Sequence, residues 1–145
     1  MQQTLLHITD CHLVPRGQQL LHTDTHGTLD AVLAQAMNEA RPDAIVATGD
    51  LVHSGGVAVY RQFLSLIESH CDAPLLCLPG NHDLAHAMAE AELPMQSLCL
   101  GDWFIGALDS HEDDVPEAHV DAATRAALTA EWRQQSARYG LSLLA

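Results

Sequence analysis

The chain has 145 residues, 48% of them hydrophobic and 17% charged, with a formal net charge of −13. That length suits one domain, no apolar run approaches the ~20 residues of a membrane helix, and so acidic a surface repels a nucleic-acid duplex. The opening Met1-Gln2-Gln3-Thr4 carries no basic segment ahead of its apolar residues, so no secretory signal is expected and the cytoplasm is the expected location. Cys11, Cys71, Cys77 and Cys99 show no CxxC spacing and are expected to be free thiols.

Leu5 to Thr9 is an apolar run that predicts a buried strand, ending at Asp10-Cys11-His12. In an extended backbone, residues two apart share a side, so Asp10 and His12 are expected to face one way and Cys11 the other. Val14 to Thr25, with Pro15 and Gly17, predicts a loop. Leu29, Val32, Leu33, Ala36, Met37 and Ala40 have the spacing of an amphipathic helix, capped near Asp24 or Thr25 and stopped by Arg41-Pro42. Asp43 to Thr48 predicts a second buried strand, ending in Gly49-Asp50. Strand, helix and strand in succession predict a parallel βαβ unit, which places Asp50 at the same sheet edge as Asp10.

Ser54-Gly55-Gly56 marks a turn, and Tyr60, Phe63, Leu64 and Ile67 mark a second amphipathic helix. Leu75 to Leu78 predicts a third strand, which ends at Pro79-Gly80-Asn81-His82-Asp83. Leu84 to Glu92 predicts a short helix stopped by Pro94. Two apolar runs around Gly101-Asp102 predict a β-hairpin. The acidic segment His111 to His119, with Pro116, predicts a mobile loop. Asp121 is placed to cap a last helix from Ala122 to about Tyr139, with Leu128 and Trp132 inward and Gly140 as its stop. Leu141 to Ala145 begins another apolar strand.

Three strand ends thus carry chemistry on one expected rim: Asp10 and His12, then Asp50, then Asn81, His82 and Asp83. Carboxylates mixed with imidazole suit Mn, Fe or Zn. Two such ions about 3.5–4 Å apart need a shared ligand, a role open to the two oxygens of Asp50. For the other histidines an ordinary surface or packing role is the favoured reading, and His53, three residues after Asp50, with His22 and His26, in the loop after His12, are the ones for which contact near that rim is the alternative.

The segments Thr9-Asp10-Cys11-His12, Thr48-Gly49-Asp50 and Pro79-Gly80-Asn81-His82-Asp83 resemble, in order and spacing, the first three motifs of the calcineurin-like metallophosphoesterases. Within that family the chain looks most like the class III cyclic-nucleotide phosphodiesterases, as do Asp109-Ser110 and the segment around Trp132. The resemblance implies an α/β fold, an α/β/β/α sandwich whose second sheet is incomplete here. It implies two divalent metal ions held by Asp10, His12, Asp50 and Asn81, with Asp50 bridging. It makes His82 the group that contacts the phosphoryl oxygen or protonates the leaving oxygen, oriented by Asp83. Asn81, His82 and His53 are the expected substrate contacts. The implied reaction is attack of a metal-bound hydroxide on the phosphorus of a small phosphodiester, foremost a 3',5'-cyclic nucleotide.

The family's later histidine motifs, including Gly-His-x-His, do not occur in the chain. Residues 1–145 are therefore expected to be the N-terminal portion of one metallophosphoesterase domain, to hold one metal ion or none, and to be weakly active or inactive alone. A half-fold that acts only in assembly is the alternative, as is a phosphatase or nucleotidase of the same fold. Apolar sheet surface left uncovered predicts a homo-oligomer.

Overall fold

The computed structural model describes residues 2–112, 117–135, 137 and 139–144. Its elements run β1 (Leu5–Ile8), α1 (Thr25–Glu39), β2 (Ala44–Thr48), α2 (Gly56–His70), β3 (Leu75–Leu78), α3 (Ala85–Glu90), β4 (Leu98–Leu100), β5 (Trp103–Leu108), α4 (Ala122–Gln134) and β6 (Tyr139–Leu144). Pro116 and Ala145, part of the loop and strand expected there, lie outside the described residues.

Two three-stranded sheets result. The first has the order β1-β2-β3 and is wholly parallel, with Leu5 opposite Ala44 and Ile45 opposite Leu75. The central strand β2 is buried along its whole length, as its unbroken apolar run requires. The second has the order β4-β5-β6. Gly101-Asp102 turns β4 into antiparallel β5 as expected, and β6 joins β5 in parallel after the crossover through α4.

The alternation of side chains along the strands sorts the core into layers. Ile45, Ala47 and Cys77 face the helices and pack with Leu33, Phe63 and Met88. Val46 and Leu76 face the other way, against Ile105 of the second sheet, flanked by Leu5, Leu98, Leu100 and Ala107. Leu128 of α4 lies against Gly106, and Trp132 covers Gly140, on the far side of that sheet. The order of layers is therefore helices, sheet, sheet, helix, which is the expected α/β/β/α arrangement with two small sheets.

Three local expectations differ. The helix expected to reach Tyr139 ends at Gln134, and Tyr139 and Gly140 belong to β6. Gly140 serves close packing, because any Cβ there would overlap the Trp132 ring. Trp132 itself stays 40% exposed, although its ring lies 6.2 Å from that of Phe104. On α1 the buried stripe is narrow: Leu29 and Leu33 are inward, whereas Val32 is 51% exposed. The Asp24 side chain does cap that helix, accepting from the Gly27 N–H at 3.1 Å.

Candidate metal centre

Because β1, β2 and β3 are parallel, their C-terminal ends meet at one rim. The segments that follow β1 and β2 are joined side by side. The N–H groups of Asp10, His12 and Leu13 donate to the carbonyls of Gly49, Asp50 and Leu51 at 3.1, 2.8 and 3.0 Å, and His53 N–H returns a bond to Leu13 at 2.8 Å. This zipper fixes Asp10 and His12 against Asp50.

The route differs from the expected strand alternation. β1 stops at Ile8, and Asp10 and His12 adopt left-handed φ values of 53° and 44°. Asp50 does the same at 51°, following Gly49 at 75°. Left-handed backbone costs a non-glycine residue about 1–2 kcal/mol, and three such residues at one rim are over-determined by the zipper around them. Thr9 supports the turn, its hydroxyl lying 2.6 Å from both Asp10 Oδ2 and the Thr48 carbonyl.

His12 Nε2 lies 3.9 Å from Asp10 Oδ1 and 3.6 Å from Asp50 Oδ2. Both exceed hydrogen-bond length, so the three groups converge without bonding one another. One ligand atom from each lies within 4.8 Å of the others, which is a group able to hold a metal ion. Two carboxylates and an imidazole are donors that suit a divalent first-row metal. His12 Nδ1 is buried with no hydrogen-bond partner.

The turn after β3 closes on this group. Gly80 sits so tightly on the second segment that a Cβ would overlap both Asp50 N and Asp50 Oδ1 and lie 2.7 Å from Gly49 Cα. The His82 N–H donates to Asp50 Oδ1 at 3.0 Å. The rings of His12, His53 and His82 form a cluster, with centroids 5.6 Å apart for His12 and His53, 5.2 Å for His12 and His82, and 5.1 Å for His53 and His82. Asn81 lies between Gly80 and His82 on the same turn, half-buried. His22 and His26 are not part of this cluster: His22 lies in an exposed turn, and His26 Nε2 meets the Val14 carbonyl at 2.8 Å.

Asp83 requires a correction. It was expected to orient the His82 ring, but its carboxylate is fully buried and spent on other partners. Oδ2 accepts from the N–H groups of Leu51 and Gly80, at 3.0 and 2.9 Å; Oδ1 accepts from Val52 N–H and the Tyr60 hydroxyl, at 3.0 and 2.9 Å. Asp83 is a clamp that ties the third turn to the segment following Asp50.

Sequence reasoning missed two contributors. Tyr60 read as a core residue of α2, yet its hydroxyl donates to Asp83 and accepts from Leu84 N–H at 2.9 Å. His111 read as an ordinary loop histidine, yet its Nε2 meets the Asp83 carbonyl at 3.2 Å. Neither has a motif, because the partner is 23 or 28 residues away. The Cys11 thiol is pushed up from 9.0 to about 12, chiefly by burial and then by the charges of Asp83 and Asp10. This suits a packing role rather than metal ligation, which needs the thiolate.

The calcineurin-like phosphoesterase family matches residues 3–124. The chain belongs to that family. Among curated relatives it is 37% identical, over 124 residues, to the 3',5'-cyclic adenosine monophosphate phosphodiesterase CpdA of Escherichia coli, which covers 80% of this chain and 45% of that protein. It is 35% identical over 124 residues to the CpdA of Haemophilus influenzae, with the same two coverages. It is 39% identical over 89 residues to a cAMP/cGMP dual specificity phosphodiesterase of Mycobacterium tuberculosis, covering 54% of this chain and 26% of that one. The chain thus spans about half the length of the curated relatives it matches. Among the described residues, no helix is long and apolar enough to cross a membrane.

Proposed function

We propose that the chain carries the metal-holding part of a cyclic-nucleotide phosphodiesterase, within one metallophosphoesterase domain. The observation that carries this reading is the convergence of Asp10, His12 and Asp50 within 4.8 Å at the ends of parallel strands. Asp10 and His12 would hold one divalent cation, with Asp50 able to share it with a second that Asn81 would serve; Mn, Fe and Zn all suit the donors. Such cations, when bound, neutralise phosphoryl oxygens and activate water. The cyclic nucleotide as substrate is inferred from what the relatives' names state of those proteins.

The chain's own residues then have separate tasks. His82, exposed beside His12 and His53, contacts a phosphoryl oxygen and passes a proton from its ring to the departing 3'-oxygen. His53 and Asn81 are the further contacts assigned to the phosphodiester. Asp83, through Gly80 and Leu51, keeps the two turns at fixed separation. The four unpaired cysteines favour the cytoplasm.

The test is hydrolysis of cyclic AMP by the full-length protein that carries residues 1–145, supplied with Mn²⁺ and followed by phosphate-ester chromatography. Release of AMP that falls about 10²–10⁴-fold in His82→Ala supports the reading; no metal-dependent release defeats it. A second reading, assembly without catalysis, is favoured by one observation: Trp103, Tyr139 and Leu141 are 40%, 48% and 37% exposed at neighbouring positions of β5 and β6. That reading, in which the chain is a homo-oligomer, predicts a concentration-dependent mass by light scattering.

A further inference from the structure

A cavity of about 510 Å³ lies between the end of β1 and the N-terminal half of α1. It begins at Asp10 and His12, so it is continuous with the metal centre. Its lining combines the apolar Leu20, Leu21, Leu29 and Val32 with the threonines Thr23 and Thr25. Among the described residues no Lys or Arg lines it, and Asp10 is its one acidic group. Away from its Asp10 and His12 end, the one imidazole on its lining is His7, and no Lys or Arg is placed to meet an anion. A neutral, flat group with an apolar face and a hydrogen-bonding edge does find partners.

Two features of the mouth point the same way. Leu21 is 88% exposed and Val32 51% exposed, so two large apolar side chains stand in water beside the cavity. Leu21 also occupies a position that turn chemistry disfavours for it. Leu20 and Thr23 exchange hydrogen bonds at 3.0 and 2.8 Å, closing a two-residue turn in which Leu21 and His22 have φ values of 48° and 68°. Such turns favour Asn and Gly. A leucine held there against both water and backbone preference is explained by something it covers.

We infer that this cavity takes the purine base of the nucleotide whose phosphodiester meets Asp10, His12 and Asp50, with Leu21 and Val32 closing on the base. The cavity is ample for a base and adjoins the phosphate position. The choice of a base as occupant rests on the phosphodiesterase reading above; the cavity and its exposed leucine do not.

The two can be tested apart. Adenosine carries the base without the phosphate, so it is offered to the full chain in the presence of EDTA, with ribose as the control. Saturation of protein methyl protons should transfer to adenine H2 and H8 and leave ribose unaffected. Leu21→Asn keeps a residue that tolerates left-handed backbone, and Val32→Thr keeps the shape; each should cut the transfer threefold or more, with the circular dichroism spectrum unchanged. Transfer to adenosine no greater than to ribose, or equal transfer in both variants, overturns the inference. Absence of cyclic AMP hydrolysis by the full-length protein, with adenosine transfer intact, would sink the proposed activity and leave the base site standing.

Discussion

Replacing Asp83 by Asn tests how the third turn is held. The carboxylate receives four hydrogen bonds in a fully buried place, three from backbone N–H groups and one from Tyr60. An amide has one acceptor oxygen. If its NH₂ takes the Oδ2 position it confronts the N–H groups of Leu51 and Gly80. If it takes the Oδ1 position it can donate to the Tyr60 oxygen, but it faces Val52 N–H and no longer accepts from the Tyr60 hydroxyl, which has to turn away. The second orientation is the better one, because a hydroxyl can rotate and a backbone N–H cannot. It still strands the buried Val52 donor, at about 1–3 kcal/mol, and weakens the bonds that relied on charge. The expected loss is about 2–4 kcal/mol, which lowers the urea midpoint by about 1–2 M for the slope of a small protein. Tyr60→Phe removes one donor to Asp83 and the acceptor of the Leu84 N–H but leaves the three backbone bonds to Asp83, and should lose less, about 1–2 kcal/mol. Urea melts followed by circular dichroism read both. A change in Asp83→Asn below about 0.5 kcal/mol, the size of an ordinary surface substitution, refutes the clamp.

Gly80→Ala should be costly as well, because its Cβ meets backbone and the Asp50 carboxylate rather than the end of a flexible side chain. Overpacking of this kind costs about 1–3 kcal/mol, and metal binding should weaken with it; an unchanged melt and unchanged Mn²⁺ affinity would show that the turns are not in contact. The cysteines should separate by reactivity. At pH 8 iodoacetamide is expected to modify exposed Cys99 first, while Cys11, pushed up to about 12, and Cys77, pushed up by burial and then by Asp83 and Cys11, react only on unfolding. Peptide mass mapping decides. Burial favours the neutral Cys11 thiol in the folded chain, so its contribution to stability is complete below pH 9 and is lost as pH rises from there toward 12.

The three strand ends were legible in the sequence because each follows a mostly apolar run closed by Gly, Pro or Asp, and the helices between them force the strands parallel. The two-sheet arrangement came from the resemblance to the metallophosphoesterases, not from those patterns. What was not legible depends on partners far along the chain. Asp10 and His12 converge through left-handed turns imposed by the zipper to Gly49 and Asp50, and no local pattern announces positive φ in Asp or His. Asp83 stands beside His82 in sequence, yet it binds α2 and the segment after β2, because the first supplies the Tyr60 hydroxyl and the second the N–H groups of Leu51 and Val52 at the sheet rim. The end of α4 was misjudged because Gly140 looks like a helix stop; its real constraint is the Trp132 ring. Val32 fits the helical period but lies beyond the width of sheet that α1 covers.

These features have one physical theme. Backbone strain at Asp10, His12 and Asp50 is tolerated where hydrogen bonds between the turns hold it, and that is where three donor groups face one another without bonding. A cation at their centre would relieve the repulsion between Asp10 and Asp50, which is why metal binding is expected to stabilise the fold by mass action.

The most direct measurement is a calorimetric titration of the metal-free chain with Mn²⁺, beside Asp50→Asn. Saturable binding of at least one ion by the chain, lost or weakened tenfold or more in Asp50→Asn, is the predicted result. Absence of saturable binding, or identical isotherms for the two proteins, would contradict a metal centre built from Asp10, His12 and Asp50.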